Sequence, residues 1–257
     1  MRELLARLFG RFRPADPVIG EWEWYARAHR KSAGGPPLGE EWNRPESIGV
    51  DVPPGELVAH LDRTLVSPLL GHVGTLLEIG AGGGRFTAQL VEHADRLIAA
   101  DTAPTMVALL GERFRGEPKV EPLLLDGTTL RPLVDHSVDA AFSYDVFVHL
   151  TPWTIYLYLE ELARVLVPGG RALLHHGNTF TDLGWNRFLY DVEGRRRGGG
   201  PDARFTLMTP AVMRELAEHA GLAVDRQVTD VVRRDCVTLL RAPERESGAS
   251  TPPASGS

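Results

Sequence analysis

The run Leu76-Leu77-Glu78-Ile79-Gly80-Ala81-Gly82-Gly83-Gly84-Arg85-Phe86-Thr87 limits what this chain can fold into more than any other stretch. Leu76, Leu77 and Ile79 form a short apolar run of the kind buried in a parallel sheet, and the glycines break it sharply. Phe86, Ala88, Leu90 and Val91 then predict the inward face of a helix starting near Gly83 or Gly84. Glycine tolerates positive φ and keeps no Cβ between backbone and ligand, while the first helical N–H groups point at whatever lies over the turn. Strand, turn and helix together read as a cofactor cradle. A second apolar run, Leu97-Ile98-Ala99-Ala100, ends in Asp101, where a carboxylate can accept both hydroxyls of a ribose. A dinucleotide fingerprint would need its third glycine at position 85, which is Arg85, so a nicotinamide cofactor is disfavoured.

The rest of the chain alternates in the same way. Leu123-Leu124-Leu125, closed by Asp126-Gly127, and Val138 to Ser143 read as strands three and four, and Arg171 to His176 as strand five. Met106, Val107, Leu109 and Leu110 give a helix opened at Pro104; a second helix, capped by Thr151-Pro152, runs through Ile155, Leu159 and Leu166 until Val167-Pro168-Gly169-Gly170 stops it. A last helix spans 209–220, followed by strands near 222–228 and 236–241. Strands alternating with helices predict a doubly wound sheet that binds its ligand at the C-terminal ends of the strands.

Ahead of this region, residues 2–12 carry Leu4, Leu5, Leu8, Phe9 and Phe12 on one stripe of a basic amphipathic helix, and Trp22, Trp24, Tyr25 and Trp42 cluster before the sheet begins. Pro53-Pro54 opens a helix that Pro68 and Gly71 end. The expected division is an N-terminal helical cap over 1–70, a cofactor domain over 71–242, and a disordered Ser/Gly/Pro/Ala tail over 243–257. Arg195-Arg196-Arg197-Gly198-Gly199-Gly200 reads as a solvated loop. A net charge of −6 argues against a broad phosphate-binding surface, so a small molecule rather than nucleic acid is the expected partner. The single cysteine, Cys236, allows no internal disulfide, and no apolar run reaches spanning length; a cytoplasmic setting is expected.

Three passages resemble class I S-adenosylmethionine (SAM) dependent methyltransferases. They are the E-x-G-x-G-x-G turn with Asp101, the run Phe142-Ser143-Tyr144-Asp145-Val146-Phe147-Val148-His149-Leu150, and the passage R-V-L-V-P-G-G-R-A-L-L. A bacterial group associated with glycan and natural-product pathways looks similar in G-G-G-R-F-T, S-Y-D-V-F-V-H-L and L-L-H-H-G-N. The resemblance implies a Rossmann-like seven-stranded sheet with an antiparallel final hairpin, and SAM as cofactor. It implies contacts to the cofactor from Glu78, Gly80, Ala81, Gly82, Arg85, Asp101, Thr102, Met106, Asp126, Gly127, Ser143 and Tyr144. Within the family, an acid at the place of Asp126 accepts from the adenine amino group.

Methyl transfer to a hydroxyl requires alignment and removal of a proton, and histidine is the natural base near neutral pH. His149 is the first candidate, and His176 the second. His175 and His176 point to opposite faces of their strand, so only one of the two can face the pocket. Asp145 either orients the base or caps the following helix. Trp22, Tyr25, His175, Asn178, Trp185 and Arg187 are the candidate substrate wall. No metal is expected, because no tight ligand spacing such as H-x-x-x-H is present. The acceptor expected is a hydroxyl of a sugar or secondary metabolite. The alternatives are N- or carboxyl-methylation, or a non-catalytic SAM-binding module that serves a partner.

Overall fold

In the computed structural model, residues 17–30, 38, 40, 44–197 and 205–244 are described. The amphipathic stretch 2–12, Trp42, Gly198 to Gly200 and the tail from 245 lie outside them. The strands are β1 Val73–Ile79, β2 Ala94–Asp101, β3 Val120–Leu124, β4 Val138–Ser143, β5 Leu166–Gly177, β6 Ala223–Val228 and β7 Asp235–Arg241. They form one seven-stranded sheet in the order β3-β2-β1-β4-β5-β7-β6. β1 to β5 are mutually parallel, whereas β7 lies antiparallel to both β5 and β6. This is the Rossmann-like methyltransferase fold with an antiparallel final pair, as expected.

Alternation along the strands divides the core. Leu76, Leu97, Ala140 and Leu173 face one layer, and Leu77, Ile98, Ala141 and Leu174 face the other. On the first face pack α2 Leu57–Leu61 and α3 Ser67–Leu69, through Leu57, Leu61, Leu65 and Leu69, together with the short α4 Thr87–Leu90. Both faces of the central strands are therefore covered, and each fully buried Leu contributes roughly 1.5–3 kcal/mol. The second face holds α6 Pro152–Val165 and α8 Pro210–His219, with Ile155, Leu159, Leu162, Met213 and Ala217 pointing inward. Thr151 caps α6 by accepting from the Thr154 N–H, and Thr209 caps α8 by accepting from the Val212 N–H. The chain leaves β1 toward β2 on one side and leaves β4 toward β5 on the other, so the loops after these two neighbours splay apart and open a crevice.

Four local expectations are corrected. The helix after the glycine turn starts at Thr87, not at Gly83 or Gly84, because Gly82 (φ 56°) and Gly84 (φ 88°) take left-handed conformations that a right-handed helix cannot contain; Ala88 is exposed. Pro68 does not end its helix. A π turn over Asp62–Val66 precedes it, and this wider turn accommodates a residue with no N–H to give. Pro168 to Gly170 lie within β5, where the register against β4 shifts and Gly169 (φ 74°) bends the strand. Arg195 and Arg196 belong to the last turn of α7 Asp182–Arg196, which its uneven apolar pattern hid. Among the described residues no helix is long and apolar enough to cross a membrane.

Candidate active site

At the C-terminal ends of β1, β2 and β4 lies a cavity of about 510 Å³. Its floor is the glycine turn. Gly80 (φ 77°) and Gly82 (φ 56°) are both left-handed, and the N–H groups of Gly80 and Ala81 donate to the Ala100 carbonyl at 2.8 and 3.0 Å, which ties the turn to β2. Val146, from the loop after β4, packs so closely over Gly80 that a Cβ there would overlap it, whereas a Cβ on Gly82 would meet nothing within 4 Å. The backbone at Gly82 is thus open toward the cavity.

Two buried acids flank this floor. Glu78 is 3% exposed and accepts from the Thr87 hydroxyl at 2.6 Å; burial outweighs that bond and pushes its carboxyl up to about 7. Asp101 accepts the Gly82 N–H on one oxygen (2.9 Å) and the Ala103 N–H on the other (2.8 Å), and burial raises its carboxyl pKa despite both bonds. Each of its oxygens keeps a further lone pair, enough to accept a vicinal diol.

Glu78 gives a pH signature in the ligand-free chain. Below about pH 4.5 the carboxyl is protonated folded or unfolded. Between about 4.5 and about 7 only the folded state retains the proton, so stability falls as pH rises, by about 3 kcal/mol across the window, and stays down above it. Chemical denaturation of Glu78→Gln at a series of pH values should show this decline flattened; an unchanged decline would sink the assignment.

The outer wall comes from α1 Pro17–Arg30 and from the loops after β4 and α7. Trp22 stands edge-on to His149 at 5.3 Å and to Tyr25 at 5.9 Å, and Phe205 also meets His149 edge-on at 5.1 Å. His149 thus contacts two aromatic rings and lines the cavity with them. The wall is fastened by Glu23, whose carboxylate accepts the N–H and hydroxyl of Thr105 at 3.0 and 2.9 Å, at the start of α5 Pro104–Arg113.

Beneath the wall lies a charged row. Arg85, with its side chain 9% exposed, donates to Asp145 at 2.7 Å and rests over the rings of Phe86 and Tyr144. Burial pushes the Asp145 carboxyl up, and the neighbouring side chains, Arg85 first with His175 and Arg234 behind it, more than offset this, leaving it below the usual carboxylate range. His175 stacks on Tyr144 at 4.1 Å and bonds Asp235 at 3.1 Å, and Arg234 closes the row with bonds to Asp235 at 2.8 and 2.6 Å. The Tyr144 hydroxyl is buried with no hydrogen-bond partner among the described residues.

Most of the expected site residues meet here. Glu78, Gly80, Ala81, Gly82, Arg85, Asp101, Thr102, Met106, Gly127, Tyr144, Asp145, His149, Trp22, Tyr25 and Arg187 all line the cavity. Several others do not. His176, expected as a base, is on the opposite face of β5; its ring bonds the Thr238 hydroxyl at 2.8 Å and the Gly177 carbonyl at 3.0 Å, and burial lowers its pKa to about 4. His175 forms part of the row below the floor and is fully buried. Ser143 donates to the Ile79 carbonyl at 2.8 Å. The Asp126 carboxylate is turned into its own loop, accepting from the N–H groups of Thr128 and Thr129 and the Thr129 hydroxyl, which holds it below the usual range against the upward push of burial. Asn178 caps the backbone at Phe180 (3.2 Å), and Trp185 stacks on Phe188, half exposed on the outer side of α7. Phe205, Arg234 and Asp235 were not foreseen; the pair Arg234-Asp235 just before an apolar strand was the available signal.

The arrangement matches known proteins in the same terms. Residues 77–174 match the family described as "Methyltransferase domain". An uncharacterised methyltransferase of Mycobacterium tuberculosis is 33% identical over 167 residues, a match that spans 63% of this chain and 65% of the relative's own length. A SAM-dependent methyltransferase from Aquifex aeolicus shares the fold with a TM-score of 0.55 at 22% identity, over 77% of this chain and 97% of its own. One from Methanosarcina mazei does so with a TM-score of 0.55 at 17% identity, over 71% and 98%. The solved structures show a shared fold, and S-adenosylmethionine is the cofactor that these likenesses imply. The residues present fit it: the glycine floor is open at Gly82, Asp101 has acceptor capacity for the ribose hydroxyls, and Met106 lines the wall beside Thr102.

Proposed function

We propose that this chain is an enzyme that transfers a methyl group from SAM to a small-molecule acceptor, most simply to a hydroxyl of a sugar or secondary metabolite. The observation that supports this reading is a single cavity in which the Asp101-tipped glycine floor runs without interruption into an aromatic wall that presents His149. On this reading, residues 1–70 act as the cap that completes the acceptor pocket, and residues 71–242 are the methyltransferase domain. At about 510 Å³ the cavity is within the range of roughly 300–1,000 Å³ that a small ligand occupies, and it has to take cofactor and acceptor together. The acceptor group that enters is therefore small, and the net charge of −6 favours a metabolite over nucleic acid. A reducing cytoplasm suits a chain whose only cysteine, Cys236, is buried and free.

When bound, SAM supplies an electrophilic methyl on a positively charged sulfur. Asp101 and the Gly80–Gly82 backbone would hold its ribose end, Trp22 and Tyr25 would exclude water and align the acceptor, and His149 would take the acceptor hydroxyl proton, the C–S bond breaking to leave the neutral thioether. Asp145 lines the same cavity with its carboxylate committed to Arg85, so the pair orders the wall beside His149 rather than acting as a free base. His149→Ala is expected to reduce turnover by about 10²–10⁴-fold, the usual contribution of a positioned base, while affinity for S-adenosylhomocysteine is retained. Transfer of labelled methyl from SAM into a small-molecule extract tests the reaction, and a mild-base wash separates ethers and N-methyl products from methyl esters. An amine or carboxylate acceptor would leave the His149→Ala chain nearly as active as the original. No transfer with cofactor demonstrably bound would favour a SAM-binding module over an enzyme.

A further inference from the structure

The row Arg234–Asp235–His175–Asp145 has a direction set by hydrogen-bond chemistry. His175 Nδ1 faces the backbone N–H of Asp145 at 3.1 Å and the Asp145 Oδ1 at the longer distance of 3.5 Å; the shorter contact makes it the acceptor of the N–H, and an N–H can be accepted only by a ring nitrogen that carries no proton. The ring proton is accordingly on Nε2, where it donates to Asp235 Oδ2 at 3.1 Å. That oxygen is in turn fixed by two N–H groups of Arg234, so the tautomer of His175 is set by a buried ion pair on a different strand.

Asp145 is one of two described non-glycine residues with positive φ (60°), a conformation uncommon for L-residues, although Asp adopts it more readily than most. Two consequences follow from it. Its carboxylate meets Arg85, and the next residue, Val146, is laid over Gly80 at the floor of the cofactor cradle. We infer that His175 is a positioning residue for the site: held as its Nε2–H tautomer by Asp235 and Arg234, it pins the Asp145 backbone in the left-handed turn that sets both the Asp145–Arg85 pair and the Val146 lid of the glycine floor. The consequence for cofactor binding rests on the methyltransferase reading above; the pinning itself does not.

Two substitutions separate positioning from packing. His175→Asn places an amide oxygen where Nδ1 stood and keeps the acceptor for the Asp145 N–H, although it is the smaller side chain. His175→Gln fills more of the space and keeps a donor toward Asp235, yet loses that acceptor. Packing alone ranks Gln above Asn, whereas positioning ranks Asn above Gln. Amide hydrogen exchange at Asp145, followed by NMR in the full ligand-free chain, is expected to stay slow in the native chain and the Asn variant and to quicken about tenfold or more in the Gln variant. Equal protection in the Gln variant, or an Asn variant that exchanges as fast as Gln, overturns the proposal. Without any substitution, a nitrogen–nitrogen coupling across the hydrogen bond between the Asp145 amide and His175 Nδ1 is expected, and its absence overturns the proposal even if a variant fails to fold. Calorimetry with S-adenosylhomocysteine in the same chains should show affinity falling in Gln and holding in Asn. If the native chain binds none while the exchange pattern holds, the methyltransferase reading fails and the positioning role stands.

Discussion

Asp101→Ala is expected to lower affinity for S-adenosylhomocysteine by about 3 kcal/mol, on the order of 100-fold, in a titration calorimeter. Two losses combine. The bonds from ribose hydroxyls to a charged acceptor are worth roughly 1.5–3 kcal/mol each, and they disappear together. The Gly82 and Ala103 N–H groups also lose the carboxylate that orders the turn around them, so the floor itself loosens. Asp101→Asn keeps one acceptor oxygen and should lose distinctly less. If the Ala variant binds as tightly as the original chain, the ribose assignment is wrong, whatever the fold.

Gly80→Ala should have the largest effect on the folded state. Its φ of 77° costs an L-residue roughly 1–2 kcal/mol. The added methyl would also be driven into Val146, and overpacking of this kind costs about 1–3 kcal/mol more. A combined loss of about 2–5 kcal/mol is expected in urea denaturation, together with loss of cofactor binding, since the floor can admit the methyl only by displacing Val146 and with it the turn at Asp145. The same substitution at Gly82 keeps the unfavourable φ but meets open space, so its stability cost should be confined to the backbone. Equal destabilisation at the two positions would remove the argument that Val146 is seated on Gly80.

The parts of this site that the sequence made legible are those fixed by local chemistry. A buried apolar strand ending at glycines, and another ending at an acid, have few other folds available, so Glu78, Gly80, Gly82 and Asp101 could be read directly. His149 could be read from its position after β4. What stayed hidden depends on pairing between distant strands. Nothing local distinguishes His175 from His176; the face each occupies is fixed by the β5–β7 register, which brings Asp235 and Thr238 to opposite sides of the sheet. Asp126 shows the converse, because the two threonines that follow it bond its carboxylate within four residues, a local competition that the Asp-Gly signal does not reveal. Helix α7 was missed since its apolar residues divide between the cavity side, where Leu183 lies, and solvent, where Trp185 and Tyr190 lie, so no single stripe emerges.

The grip of Glu23 on Thr105 has an implication for how this protein could be re-engineered. The cavity-lining side chains Trp22 and Tyr25 stand on a helix whose polar fastening to the sheet domain includes that one carboxylate and the start of α5. α1 is therefore docked through a defined polar socket beside an apolar contact. Grafting a differently lined helix would have to preserve an acid at position 23, a hydroxyl at 105 and the packing of Ala26 against Ala103 and Met106, since the same helix also backs the floor of the cavity. A graft that discards the acid would leave the new wall without its anchor, next to the turn that carries Asp101.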